Sequence, residues 1–128
     1  MQKFDYTVET KKSFNAAVAA VEAKTQEKGF RVLHTHDVQA TLAEKGFQRE
    51  PLKIVEVCNA KYASQVLEKD IKISLMLPCP ISVYTSEGKT YISALRPKVM
   101  KDFYPQAKID QIAEEVDKIV TSIVDEAK

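Results

Sequence analysis

Apolar and polar residues alternate from the first readable element: Phe4, Tyr6 and Val8 against Asp5, Thr7 and Glu9. That two-residue period predicts a half-buried strand. Beyond Lys11-Lys12 the period lengthens. Phe14, Ala17, Val18 and Val21 share one stripe, with Glu22, Lys24, Gln26 and Glu27 outside it, so Ser13 caps a helix running to about Lys28. Glu-Lys-Gly-Phe occurs at residues 27–30 and again at 44–47. The unit is too short for a repeat architecture and reads as one helix-ending device used twice. Glycine takes the left-handed position after the last turn, and phenylalanine folds back on the helix, with Leu42 placed to receive Phe47.

A second strand follows over residues 30–36, and Asp37 caps a short helix over 38–45. The Ile/Val-rich run 52–58 predicts a third strand, and Asn59 caps a helix over 60–68 with Tyr62, Ala63, Val66 and Leu67 as its apolar side. Ile71, Ile73, Leu75 and Leu77 alternate with Lys72, Ser74 and Met76, which predicts an extended segment. Strands over 81–85 and 90–95 are joined through Ser86-Glu87-Gly88-Lys89, a hairpin signal. The last element carries Ile109, Ile112, Ala113, Val116, Ile119, Val120, Ile123 and Val124 at helical spacing, with Ile112, Val116, Ile119 and Ile123 expected in the core. Its outer face pairs Glu114 with Lys118 four residues on. Asp125 and Glu126 lie at the negative end of the helix dipole, so that end is expected to fray.

Together these elements predict one α+β domain over residues 1–128. It is a two-layer sandwich: a mostly antiparallel sheet of about five strands, with two long helices on one face. The composition, 45% hydrophobic and 29% charged, excludes a disordered chain. Net charge is +1, and neither half is polarised: residues 1–64 hold ten basic and eight acidic residues, residues 65–128 nine and ten. A partner bound by phosphate neutralisation is therefore not expected. The longest nearly apolar stretch, 71–83, is broken by Lys72, Pro78 and Pro80 and is too short to span a bilayer, so no membrane partner is expected. Met-Gln-Lys-Phe-Asp-Tyr at the start has no apolar leader core, which makes the cytoplasm the expected address. A two-layer fold leaves one sheet face or edge bare for self-association.

Candidate chemistry is sparse. Three scattered glycines cannot build a phosphate loop, and Cys-x-x-Cys, His-Glu-x-x-His and Gly-x-Ser-x-Gly are absent. Cys58 ends a strand just before the Asn59 cap, where a helix N-terminus favours thiolate. Cys79 sits between Pro78 and Pro80, whose rings stiffen the segment and withhold two ladder donors. Free cysteine also serves as a small buried hydrophobe. A structural disulfide fits poorly with a cytoplasmic chain. His34 and His36 point to one face of a strand and, with the thiols, could hold zinc or copper(I); they equally suit a half-exposed strand end. Tyr84 and Tyr91 read as a cross-strand packing pair.

Val57-Cys58-Asn59-Ala60 before a Tyr/Ala/Leu helix, Leu75-Met76-Leu77-Pro78-Cys79-Pro80-Ile81-Ser82-Val83-Tyr84, and Ala94-Leu95-Arg96-Pro97 with Met100 following together resemble the Domain of Unknown Function 302 family. The similarity runs from about Ser13 to Val124, with Ala60 standing where the family usually has proline. The resemblance implies a β-α-β-β-β-α-type sandwich with a TATA-binding-protein-like outline, a frequent homodimer, and no established activity. It singles out Cys58, Asn59, Leu77, Pro78, Cys79 and Pro97. Residues and resemblance lead to a cytoplasmic homodimeric module that binds a small ligand or partner without turnover, with Cys58, Asn59, Pro78 and Cys79 as site residues and no cofactor assigned. Two alternatives stand beside it. One is thiol redox or sulfur handling, with Cys58 as a low-pKa nucleophile and Cys79 as resolving partner. The other is soft-metal binding through Cys58, Cys79 and His36.

Overall fold

A computed structural model describes residues 3–128; Met1 and Gln2, which open the N-terminal segment read above, lie outside the described residues. Among the described residues the strands are β1 (Asp5–Thr10), β2 (Arg31–Asp37), β3 (Leu52–Cys58), β4 (Cys79–Ser86) and β5 (Lys89–Leu95). They form one antiparallel sheet in the order β1-β5-β4-β3-β2. Helices α1 (Phe14–Glu27) and α5 (Asp110–Ala127) are long, while α2 (Val38–Ala43), α3 (Ala60–Lys69) and α4 (Met100–Phe103) are short. This is the α+β two-layer sandwich that the periodicities predict.

The core lies between the long helices and one face of the sheet. Ala17, Val18 and Val21 of α1 and Val116, Val120, Ile123 and Val124 of α5 meet Val55, Val57, Ile81, Val83, Ile92 and Ala94. The alternate sheet positions point the other way. There Ile54, Glu56, Ser82, Tyr84, Tyr91 and Ser93 are half-buried, and Tyr84 stacks on its cross-strand partner Tyr91 with ring centroids 5.6 Å apart. No helix among the described residues is long and apolar enough to cross a membrane.

Local signals set most boundaries. Ser13, Asp37 and Asn59 each accept a hydrogen bond from the backbone N–H three residues on, at 3.2, 3.0 and 3.1 Å. Both Gly-Phe endings close as expected: Phe30 N–H bonds to Thr25 O and Phe47 N–H to Leu42 O, each at 3.0 Å. The side chains then differ, since Phe30 is buried whereas Phe47 is 65% exposed. At the β4–β5 turn Glu87 (φ 52°) and Gly88 (φ 80°) are both left-handed, the two-residue turn whose twist matches a hairpin.

Three expectations are corrected. Residues Ile71–Met76 form a 3-10 helix, not an extended segment. Asp70 starts the turn by accepting the Lys72 N–H at 2.9 Å, and β4, into which the run leads, is already flanked by β3 and β5. Only Ile73 is fully buried, on a small cluster with Val66, Met100 and Ile109, while Ile71 and Leu75 are 70% and 82% exposed. The end of α5 is helical through Ala127 and its groups are held by neighbours. Lys12 Nζ donates to the Ala127 and Lys128 carbonyls, each at 2.8 Å, placing a cation at the negative end of the dipole. Tyr6 donates to Asp125 at 2.6 Å and Lys28 pairs with Glu126, so the two acids are compensated individually. Finally, Glu114 makes its ion pair with Lys101 of α4, with Lys118 acting on it only through space, and Ile112 and Ile119 flank the core half-buried.

One buried charge escapes the pattern altogether. Asp117 on α5 is 3% exposed and receives Arg96 Nη2 at 2.8 Å, Arg96 Nε at 3.3 Å and the Lys98 N–H at 3.3 Å. This clamp ties α5 to the segment that follows β5. Asp117→Ala is expected to cost about 3 kcal/mol, because it strands the partly buried guanidinium. Ile123→Ala is expected to cost about 3–4 kcal/mol and half-buried Ile119→Ala about 1–2, as burial and residual cavity scale together. Urea denaturation of the three variants checks both; Ile119→Ala proving the costlier isoleucine change would overturn the packing assignment.

Candidate functional site

The end of β3 and the start of β4 lie side by side, with Val57 paired to Cys79. Cys58 and Asn59 continue from β3 into α3, so the two cysteine-bearing segments meet where the sheet hands over to its covering helices. Asn59 makes that corner rigid. Its side-chain oxygen caps α3, and its Nδ2 donates to the Gly29 carbonyl at 3.2 Å, binding the start of α3 to the end of α1. The β3 ladder reaches Cys79 and Pro80, whereas pairing with β5 begins only at Ile81. Pro80, which has no N–H to give, therefore sits where the β5 side makes no demand.

A pocket opens at this corner. Cys58, Asn59 and Cys79 line it, together with Tyr62, Ala63 and Val66 of α3. Phe30, Leu77, Met100 of α4 and Val116 of α5 complete the wall. The cavity volume is about 20 Å³, room for one water-sized group and no more. Three of the four predicted site residues, Cys58, Asn59 and Cys79, thus share one wall. Pro78 is half-buried and is not among the lining residues; it shapes the approach to Cys79.

The electrostatics reverse the expectation for Cys58. Burial pushes its thiol up from the ordinary value, and the Asn59 backbone N–H offsets this only in part. The helix terminus is present, but partial desolvation outweighs it. Burial likewise pushes the Cys79 thiol up to about 12, with the nearby Cys58 adding in the same direction. Both cysteines are free, with no disulfide between them.

His34 and His36 do share a face, with ring centroids 4.3 Å apart, and His36 Nε2 lies 3.3 Å from Glu56 Oε1. That face is the open one. His36 borders a separate, wider groove of about 400 Å³ with Val38, Thr41, Leu42, Ile54 and Glu56. The ligand set Cys58, Cys79 and His36 is therefore not assembled, and among the described residues no group of three His, Cys, Asp or Glu side chains could hold a metal ion. The reason is strand alternation: Cys79 shares its sheet face with Val57, whereas His36 pairs with Ile54 on the reverse. Met100, Phe30 and Val116 are among the lining residues that the sequence did not mark as site residues. Met100's only signal was its place after Arg96-Pro97, and α4 brings it to the pocket from 42 residues beyond Cys58.

The chain matches the family model described as Domain of unknown function DUF302 over residues 6–127. It is similar to a solved structure, an uncharacterized conserved protein DUF302 from Bacillus stearothermophilus, with 29% sequence identity and a TM-score of 0.92 over 99% of this chain and 100% of that one. Comparison with curated proteins finds no match.

Raised thiol pKa values predict slow alkylation. Native Cys58 should react with iodoacetamide at neutral pH more slowly than free cysteine and accelerate as pH climbs past the ordinary thiol range, with Cys79 labelled only in alkali or denaturant. Fast labelling of Cys58 in mild acid would show the opposite shift. Linkage has a definite sign here: a thiol kept neutral by burial stabilises the fold fully below its ordinary value of 9.0, and that contribution fades as pH rises through about 12. Cys79→Ala should therefore lose less stability than wild type over this alkaline window, read as the difference between their denaturation midpoints.

Proposed function

We propose that this chain, which belongs to the DUF302 family, is a binding module whose ligand site is the Cys58–Asn59–Cys79 pocket. The observation carrying this reading is the pocket's chemistry: every lining residue named above is apolar, a thiol, a thioether, a phenol or the amide of Asn59, and none is a carboxylate, imidazole, amine or guanidinium. Such a wall recognises and orients; it holds no acid–base pair poised for proton transfer. A volume of about 20 Å³ favours a single small group over a nucleotide- or flavin-sized ligand. Thiol exchange would use the same wall, but burial favours the protonated form of both cysteines, so the binding reading is preferred.

The acting unit is a homodimer in the cytoplasm, without nucleic acid or membrane as partner. Support for self-association is the open sheet face, where the Tyr84–Tyr91 stack lies on the side away from the core under α1 and α5. Static light scattering across micromolar concentrations should read twice 14.4 kDa, and Tyr91→Glu should return the mass to that of one chain. A wild-type mass that never exceeds one chain removes the dimer. For the pocket, hydrogen sulfide, a ligand of one heavy atom, added to nitrogen-15-labelled protein should shift amides around Phe30, Cys58, Tyr62 and Cys79. Ala63→Leu, which fills the cavity from α3, should abolish those shifts while leaving the fold intact. Shifts confined to the His36 groove would place the site elsewhere.

A further inference from the structure

We infer that β2 carries half of a metal site that a second copy of the chain completes: His34 and His36 of two chains, paired edge to edge, hold one zinc ion between them. The two imidazoles lie side by side on the open sheet face, exposed, with ring centroids 4.3 Å apart. Such a pair is a two-point chelate, and among the described residues the chain assembles no group of three ligands around it. Glu56 Oε1 lies 3.3 Å from His36 Nε2, which leaves Nδ1 for a metal. Imidazole nitrogen suits zinc and its transition neighbours, whereas magnesium and calcium take oxygen. Zinc closes its structural sites with four ligands, so two from each chain call for two chains.

The strand that bears the histidines is also where a second copy can dock. β2 ends the sheet order, so among the described residues its outer backbone donors and acceptors have no strand beside them. From His34 to Asp37 its register against β3 is unbroken, the irregularity lying between Val32 and His34. Two such strands, antiparallel about a two-fold axis at Thr35, set each His34 directly opposite His36 of the partner subunit. Opposed residues of antiparallel strands point to the same face, with Cβ atoms about 5 Å apart. All four imidazoles then stand together on the open face, about 7 Å apart along each strand, within reach of one ion. The same pairing sets the basic start of each strand, Arg31, towards the acidic end of the other, Asp37. This edge is distinct from the Tyr84–Tyr91 surface, so the contact adds to the proposed dimer and stands without it.

The test is titration of the metal-free full-length chain with zinc chloride, read by calorimetry for stoichiometry and by X-ray absorption for the metal's neighbours. One zinc should bind per two chains, surrounded by four imidazole nitrogens, and magnesium chloride should give no binding heat. Tyr91→Glu, which removes the tyrosine contact, should double in mass from 14.4 kDa when zinc is added and return when EDTA takes it away. His34→Ala and His36→Ala should each abolish that doubling, with circular dichroism confirming that both exposed-site variants fold. Thr35→Cys places one thiol from each chain at the axis, where opposed Cα atoms lie about 4.5–5.5 Å apart, within disulfide range. With zinc bound it should give a covalent dimer under mild oxidation, and adding His36→Ala should remove the cross-link. One zinc per chain, sulphur in the metal shell, or no cross-link through position 35 would each overturn the inference. Stoichiometry and cross-linking decide the matter whatever mass the metal-free chain shows, so failure of the tyrosine dimer and failure of this site are read separately.

Discussion

The register of β3 against β4 is the constraint on which the rest of the site depends. Val57 opposite Cys79 puts the last inward position of one strand beside the first of the next. Because side-chain direction has a period of two, a slip of one residue would turn Cys79 to the open face and empty the pocket of a thiol. Burial opposes that slip. Val55, Val57, Ile81 and Val83 are all fully buried on the helix-covered face, and each would have to surface together. At roughly 25 cal/mol per Å² of apolar surface, exposing four such side chains costs several kcal/mol, far more than one ladder bond returns.

Around that register, polar contacts act as pins on otherwise apolar layers. Asn59 joins the start of α3 to the end of α1, and Asp117 joins α5 to the Arg96 segment. Lys12 closes the far end of α5 against the strand–helix corner. Each pin satisfies groups that burial would otherwise leave unpaired, and among the described residues no buried side-chain polar atom lacks a hydrogen-bond partner. The pocket sits where three such anchored elements converge. Its walls are therefore held by the fold's own supports, which is the condition for a small site with fixed geometry.

The two sheet faces have separate chemistries. The covered face is apolar and ends in sulphur. The open face carries hydroxyls in a chain, Tyr84 to Ser93 at 2.8 Å and Ser93 to Thr7 at 2.7 Å, beside the stacked tyrosines. A single sheet keeps the two chemistries apart.

Much of this was legible in the residues alone because its causes are local. Ser13, Asp37 and Asn59 cap their helices with their own side chains, Gly29 and Gly46 end theirs through backbone conformation, and Glu87-Gly88 fixes its turn within four residues. Alternation likewise assigned each strand residue to a face, so His34 beside His36 and Tyr84 opposite Tyr91 needed no partner elements to be foreseen. Where the outcome depended on distant groups, the residues were silent or misleading. The alternating run from Ile71 lacked a free place beside β4 and coiled. Asp125 and Glu126 were held by Tyr6 and Lys28, more than ninety residues away. Asp117, polar on a helix, became buried only because Arg96 arrived to meet it. The site divides in the same way: Cys58, Asn59 and Cys79 could be named from their neighbours in sequence, but their joining with Met100, and their separation from His36, required the sheet. The net thiol pKa also waited on the fold, because desolvation is set by everything packed around a group, whereas a helix N-terminus can be read from one cap.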